Sequence, residues 1–354
     1  MTVALDMASR RASRLHRATA VLGLLAMATI LVALIAMGEG AVATAPLEVV
    51  RALAAAIGVG NGPADQMTAS VLIHIRLPRV ILALVVGAGL GLGGAVLQGL
   101  FRNPLADPGL IGVSSGAALA AVSVIVLGGG ALHGMLGTAA LPVAAFAGGV
   151  GVTLLIYRIA GLRGETTTAM LLLAGIAVNA LAGAAMGVLT YISDDTQLRE
   201  LTFWTMGSLG GATWRSATPA LALMAVALGL LLSIARPLNI YLLGEAEARH
   251  LGVDVRRLKR TAILATALAV GAAVAVSGII GFVGLVVPHL VRLLTGPDHR
   301  FVLPGSALLG GGLLCGADIV ARTAVIPAEL PIGMVTSLIG APFFLWLLLR
   351  RGGV

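Results

Sequence analysis

The sequence contains little charge. Asp, Glu, Lys and Arg make up only 11% of the 354 residues, and 58% are hydrophobic, whereas a soluble domain carries about 25% charged residues. So little polar surface excludes a water-soluble globule. Apolar runs of about 18 residues or more are typical of membrane-spanning helices. The composition therefore predicts an all-α, polytopic membrane protein.

Three other features that are rare or missing narrow the class of protein. The single cysteine, Cys315, excludes an intrachain disulfide, and we interpret it as a packing residue. The single lysine, Lys259, follows Leu258, so the chain lacks the Gly-x-x-x-x-Gly-Lys loop that binds ATP phosphates. No charged side chain lies in the middle of an apolar run, which disfavours an ion-coupled carrier. Active transport would therefore need a separate ATPase.

Apolar runs of spanning length dominate the rest of the chain. They fall near residues 18–38, 80–100, 109–127, 139–157, 168–191, 216–235, 261–279, 281–295, 302–317 and 332–349. The region 261–295 is either two short spans or one bent helix, because glycines interrupt it. The first run is longer than a signal-peptide core of about 7–15 residues. We therefore expect a cytoplasmic segment over residues 1–17 and a single transmembrane domain over residues 18–350.

The net charge of +8 comes largely from arginines in the loops, and we therefore do not interpret it as a sign of a nucleic-acid partner. The loops after even-numbered runs contain arginines, which include Arg102, Arg158, Arg236, Arg292 and Arg300. The loop after the fifth run contains Asp194, Asp195 and Glu200. Because positive charge marks the cytoplasmic side, we expect a bacterial inner-membrane protein with both termini in the cytoplasm.

The second and seventh runs resemble each other. Each begins after an arginine, Arg79 or Arg260, and each is rich in glycine. An offset of five spans would place them in opposite orientations, as in transporters built from inverted repeats. We expect such halves here, with a substrate path between them.

The longest cytoplasmic loop covers residues 236–260. Within it, residues 244–252 predict a short amphipathic helix that ends at Gly252, since glycine suits the left-handed position after a helix. One interpretation is an ordinary charged connector between two spans. The other is a rigid element that transmits the motion of an ATPase.

Three arginines are expected on the outer side, against the positive-inside pattern. Arg76 and Arg79 precede the second run, and Arg322 follows the ninth. They could bind an acidic partner through charge-assisted hydrogen bonds. Alternatively, they could extend to lipid headgroups.

Several motifs occur in a fixed order between about residues 70 and 350. They are Arg76-Leu77-Pro78-Arg79, Asn103-Pro104 within residues 98–116, Phe203-Trp204-Thr205-Met206-Gly207, Pro288-His289-Leu290-Val291-Arg292 and Ala317-Asp318-Ile319-Val320-Ala321-Arg322, with residues 329–333 and 340–343 closing the series. Together they resemble the signatures of the FecCD family of permeases for ferric siderophores, haem and cobalamin.

The resemblance implies ten helices per subunit and a homodimer with the substrate path at its two-fold axis. It also implies two ATP-binding-cassette subunits, which carry ATP and Mg, and a periplasmic substrate-binding protein. The chain itself would bind no cofactor or metal and catalyse no reaction. The expected cargo is a metal chelate, with haem first and ferric siderophore second, and cobalamin as the alternative.

The resemblance also assigns roles to residues. Arg76, Arg79 and Arg322 match arginines that engage acidic residues of the binding protein. The ATPase-coupling positions match Gly244, Glu245, Glu247, Arg249 and Gly252. A short helix beside the outer gate matches Leu198, Phe203, Trp204 and Met206.

Two further patterns leave alternatives open. Residues 112–116 match the Gly-x-Ser-x-Gly pattern of a serine nucleophile at Ser114, although that pattern needs a strand-to-helix turn and a nearby histidine. Its small residues could equally allow tight helix packing. His74, Met67 and Tyr191 could contact the cargo, or they could be ordinary residues of the membrane interface.

Overall fold

The computed structural model describes residues 2–40, 44–56, 58–59, 63, 65–128, 136–162 and 167–351, and this part of the chain contains helices and no strand. Its α-helices are α1 (Thr2–Gly38), α2 (Pro46–Ala56), α3 (Gln66–Ser70), α4 (Leu77–Leu100), α5 (Val113–Leu127), α6 (Ala140–Gly161), α7 (Thr168–Ile192), α8 (Asp195–Met206), α9 (Trp214–Ser233), α10 (Ala235–Tyr241), α11 (Glu245–His250), α12 (Val255–Ser277), α13 (Val283–Thr295), α14 (His299–Thr323) and α15 (Ile332–Arg351). A π-helical turn, Val71–Arg76, joins α3 to α4.

The ten predicted runs all correspond to helices. Among the described residues, seven helical segments are long and apolar enough to cross a membrane, and three shorter apolar helices accompany them. The shorter ones are α5, α13 and α15. The ambiguous region 261–295 forms two helices, α12 and α13, because the backbone leaves the helical conformation at Gly278.

Helix α4 lies at the centre of the bundle, where α9, α12, α13 and α14 pack around it. The close contact of α4 with α13 and α14 depends on glycine. A Cβ atom on Gly87 would overlap the backbone of Gly310 in α14, and one on Gly94 would overlap the backbone of Gly284 in α13. Helices in lipid associate largely through such packing, because lipid is as apolar as their side chains.

Helix α12 runs antiparallel to α4. Gly89 of α4 faces Ala269 of α12, and Gly93, one turn later, faces Thr266. As the residue number rises in α4, it falls in α12, so the two helices are antiparallel. The opposite orientation predicted for the second and seventh runs is therefore observed.

The loop between α4 and α5 is held by polar groups rather than by a catalytic arrangement. The amide of Asn179 in α7 donates to the carbonyl oxygen of Gly109 (3.0 Å), and Ser115 Oγ lies 2.5 Å from Asn179 Oδ1. Ser114 has no hydrogen bond to a histidine in the described part of the chain. The Gly-x-Ser-x-Gly pattern serves packing at this point, where Gly116 contacts the backbone of Gly148, and the described residues offer Ser114 no histidine base.

Candidate functional site

Charged side chains form one cluster at the end of the bundle where α4 begins, which we call the Arg79 end. Arg79 Nε and Nη2 donate to Asp318 of α14 at 2.9–3.1 Å. Arg79 Nη1 and Nη2 donate to the two carboxylate oxygens of Glu329, each at 2.9 Å. One guanidinium therefore joins α4, α14 and the loop before α15. Its fork geometry suits two carboxylates better than a lysine would.

The other two arginines of this end cap α1. Arg322 Nη2 donates to the carbonyl oxygen of Ala36 (2.5 Å), and its Nε lies 3.5 Å from Asp318. Arg76 Nη1 donates to the carbonyl oxygens of Met37 (2.7 Å) and Gly38 (2.8 Å). The last carbonyls of a helix have no partner within it and carry its negative dipole end. Two cations thus stabilise the end of α1.

The structure corrects the expected environment of these arginines. Arg76, Arg79 and Arg322 lie at the same end of the bundle, but only 5–8% of each is exposed. Their side chains point into the protein, and not to lipid headgroups or to open solvent. Asp318 and Glu329 balance the charges of Arg79 and Arg322, whereas Arg76 is held by backbone carbonyl oxygens. Their docking role stays a prediction.

Asp318 and Glu329 are site residues that the sequence analysis missed. Asp318 precedes Arg322 by four residues, the spacing at which helical side chains interact, and this was the available signal. Hydrogen bonds from Arg79 lower the pKa of Glu329, against the opposing effect of burial. The Glu329 carboxylate therefore keeps its charge at neutral pH and, with Asp318, holds Arg79 in the cluster.

The second candidate site lies on α11, at what we call the α11 end. The predicted short helix is present. It begins after Gly244 and is followed by Gly252, whose φ of +84° is the left-handed conformation that glycine favours. Ala248 is fully buried, whereas Glu247 and Arg249 face outward.

Ion pairs attach α11 to the bundle. Lys259 Nζ, on a residue that is only 4% exposed in α12, lies 2.8–2.9 Å from both carboxylate oxygens of Glu245. Arg249 Nη2 donates to Glu245 at 2.8 Å. Burial alone would raise the pKa of Glu245, but Lys259 and Arg249 lower it below the usual range. The carboxylate therefore stays charged and binds α11 to α12.

A tyrosine links the same carboxylate to a second loop. Tyr241 Oη donates to Glu245 Oε2 at 3.4 Å, and the Arg102 guanidinium lies 5.5 Å from the centre of the tyrosine ring. Burial, and then the charge of Glu245, raise the pKa of Tyr241. Arg102 belongs to the loop after α4, so Tyr241 connects α11 to that loop. The sequence analysis had named neither Tyr241 nor Arg102 as a site residue.

The predicted short helix over Leu198, Phe203, Trp204 and Met206 is α8. Asp194 and Gln197 form a capping box at its start, and Gly207, with φ +73°, ends it. Ser208 N donates to Ser277 O at 2.8 Å, and Ile332 N donates to Gly207 O at 3.0 Å. The end of α8 therefore contacts both the end of α12 and the start of α15.

The three suggested cargo contacts are exposed side chains. Met67 is 77% exposed and Tyr191 90% exposed, and His74 is also exposed. None of the three makes a side-chain hydrogen bond within the described residues. Those residues also contain no group of three or more His, Cys, Asp or Glu side chains that could hold a metal ion. Their contact with cargo stays a prediction.

In the described part of the chain, ten apolar helices, seven of them long enough to span a membrane, form a bundle with the glycine-rich α4 at its centre, which defines the class as a multi-pass membrane protein. A family model described as the FecCD transport family matches residues 27–350. The chain belongs to this family.

Curated relatives and a solved structure agree with this assignment. The chain is 54% identical to the hemin transport system permease protein HmuU of Yersinia pestis over 79% of this chain and 83% of that protein. It is 48% identical to the cobalamin import system permease protein BtuC of Halobacterium salinarum over 80% of this chain and 75% of that protein. A solved structure, described as an inward-facing conformation of a putative metal-chelate type ABC transporter, matches with a TM-score of 0.80 and 34% identity over 94% of this chain and 99% of the other.

Proposed function

We propose that this chain is the permease subunit of an ATP-driven importer for haem. The carrying observation is the 54% identity to a hemin permease. Cobalamin is the second candidate, because two cobalamin permeases are 47–48% identical over similar lengths. Ferric siderophores belong to the same general class of metal chelates.

The proposed assembly contains a second copy of this chain, two ATP-binding-cassette ATPases and a periplasmic binding protein, in the inner membrane with both termini in the cytoplasm. The α11 end would contact the ATPase. Its outward face supports this placement, because Glu247 and Arg249 are exposed there beside Leu243 and Leu251, at 64% and 60% exposure. Mixed charge around exposed apolar side chains is common at protein interfaces.

Helix α12 offers a physical connection between the two ends. Its 23 residues span about 35 Å, at 1.5 Å per residue. At one end Lys259 holds Glu245 of α11, and at the other Ser277 accepts the hydrogen bond from Ser208, just after α8. Movement of α11 with a closing ATPase would therefore displace the segment that follows the proposed gate helix.

The binding protein would dock at the Arg79 end. Arg79 already donates hydrogen bonds to Glu329. An acidic residue of the binding protein would therefore have to displace Glu329 in order to bind Arg79. Replacing Arg76, Arg79 and Arg322 with glutamate should abolish docking and leave ATPase assembly intact. Unchanged docking affinity in a correctly folded variant would refute this assignment.

The deciding experiment is uptake into proteoliposomes that contain this chain with its ATPase and binding protein. Haem, a ferric siderophore and cobalamin are each offered with and without ATP. ATP-dependent uptake of haem alone supports the proposal, and uptake of cobalamin alone transfers it to the second candidate. Uptake by the chain without its ATPase would overturn the ATP-driven mechanism and support an ion-coupled carrier.

A further inference from the structure

A cavity of about 870 Å³ lies between α6, α8, α9 and α12, at the same end of the bundle as Arg79. This volume is within the roughly 300–1,000 Å³ of small-molecule sites. Its inner wall is apolar and includes Phe146 of α6, Leu223 of α9 and Ala275 of α12. An apolar cavity of this kind does not hold ordered water well, because water needs two or more polar partners.

The rim of the cavity is polar. Glu200 of α8 and Arg215 of α9 both line it, together with the hydroxyl groups of Ser208, Thr213 and Ser216. The side chains of Glu200 and Arg215 make no hydrogen bond or ion pair with any other described residue. Arg79, at the same end, is by contrast fully paired. One cation and one anion are thus available on the rim of one cavity.

The cavity is open where the helices carry exposed apolar side chains. Val143 and Leu223 line it and remain 50% and 38% exposed. Further along α9, Val226 is 59% exposed, and Leu154 and Leu155 continue the apolar surface of α6. In a chain that spans a membrane, such a surface borders acyl chains. A lipid chain can therefore reach the cavity from the bilayer.

We propose that this cavity binds one glycerophospholipid with a primary ammonium headgroup. Its phosphate accepts hydrogen bonds from Arg215, and its ammonium donates to Glu200. Its acyl chain lies against Phe146 and Leu223. A zwitterionic headgroup matches a rim that carries one charge of each sign, whereas an anionic headgroup has no cation to offer Glu200.

Trp204 lines the cavity and can report its occupant. The other two tryptophans, Trp214 and Trp346, are replaced by phenylalanine in the full chain. This variant is reconstituted in phosphatidylcholine vesicles with a minor fraction of phosphatidylethanolamine brominated on its acyl chain. A bound lipid should quench Trp204 severalfold more than random contact with that fraction of bromine allows. Quenching that follows the bulk bromine content would overturn the proposal.

Matched variants test the headgroup. Arg215→Gln and Glu200→Gln should each return the quenching to the random level. Arg199→Gln should not, because Arg199 is an exposed arginine of α8 that does not line the cavity. Equal enrichment of brominated phosphatidylglycerol would contradict the pairing of Glu200 with an ammonium group.

A substitution that fills the cavity with a larger side chain provides an independent test. Ala275→Phe should remove the excess quenching, whereas Val226→Phe, on the lipid-facing surface of α9 outside the cavity, should leave it. If added haem displaces the brominated lipid and itself quenches Trp204, the cavity is a cargo site and the lipid proposal is wrong. The lipid assignment does not depend on which cargo the protein carries.

Discussion

The two ends of the bundle use the same chemistry in different surroundings. At the Arg79 end, side-chain exposure is 10% for Arg79 and 1% for Asp318. At the α11 end, it is 47% for Arg249 and 31% for Glu245. Both ends pair arginine with a carboxylate at 2.8–2.9 Å. Only the first pair is removed from water.

This difference in exposure separates a buried structural cluster at the Arg79 end from an exposed surface at the α11 end. Removing one partner of a buried ion pair leaves the other charge buried, at a cost of about 3–5 kcal/mol. Removing one partner of an exposed pair costs about 0–1 kcal/mol, because water solvates what remains. The Arg79 end therefore holds α1, α4 and α14 in a fixed arrangement. The α11 end can exchange its exposed partners for those of another protein.

The largest expected effect follows from Asp318→Asn. The change keeps the shape of the side chain but leaves Arg79 and Arg322 with a neutral neighbour. The free energy of unfolding should fall by about 3–5 kcal/mol, the cost of breaking a buried ion pair. Denaturant unfolding of the purified chain measures it. Glu329→Gln is the matched control, because its side chain is 42% exposed and its loss should cost clearly less. Equal losses in the two variants would contradict the comparison.

The next largest effect is expected for the close packing of the central helix α4. Gly94→Ala should destabilise the chain by about 1–3 kcal/mol, the usual cost of overpacking, because the new methyl group meets the backbone of Gly284. Gly183→Ala in α7 is the control, since nothing lies within 4 Å of its Cβ position. It should be neutral, or more stable by about 0.5–1 kcal/mol. A destabilised Gly183→Ala with an unchanged Gly94→Ala would show that the close packing of α4 is not limiting.

At the α11 end, function should change more than stability. Lys259→Gln removes the buried cation that fixes Glu245 to α12. Uptake per ATP hydrolysed in the reconstituted importer should drop severalfold, because movement of α11 no longer reaches α12. Arg249→Gln, which removes an exposed cation from the same carboxylate, should retain more of the coupling. Full coupling in Lys259→Gln would refute transmission through this pair.

The smallest expected effect is a loss of stability at acid pH, and it arises from Asp298 at the α11 end. Burial alone would raise the pKa of Asp298, but hydrogen bonds from Arg300 and Asn239 lower it to about 2. A lowered folded-state pKa contributes stability above the unfolded value, about 3.9 for aspartate. The advantage of the parent chain over Asp298→Asn should thus be full above about pH 4 and disappear as the pH falls toward 2. Unfolding midpoints of both proteins across this range measure it, and a constant difference would exclude the linkage.

Much of the fold could be predicted because membrane spans are local features. An apolar run must satisfy its own backbone hydrogen bonds in lipid, and a helix does so. The ten runs therefore correspond to ten helices, and Gly252 ends α11 as predicted. The predicted ninth run stopped at residue 317, yet α14 continues to Thr323. The missing turn carries Asp318 and Arg322, whose charge made it look like a loop.

The sequence by itself determined the membrane class, the ten apolar helices of the described residues and the short helices α8 and α11. Only the tertiary structure decided which charges meet. Arg79 and Asp318 are 239 residues apart, and no local pattern predicts their pairing. The same holds for the cavity between α6, α8, α9 and α12, which no single helix encloses. Hydrophobic runs respond to the bilayer one segment at a time, whereas burial of a charge depends on which segments pack around it.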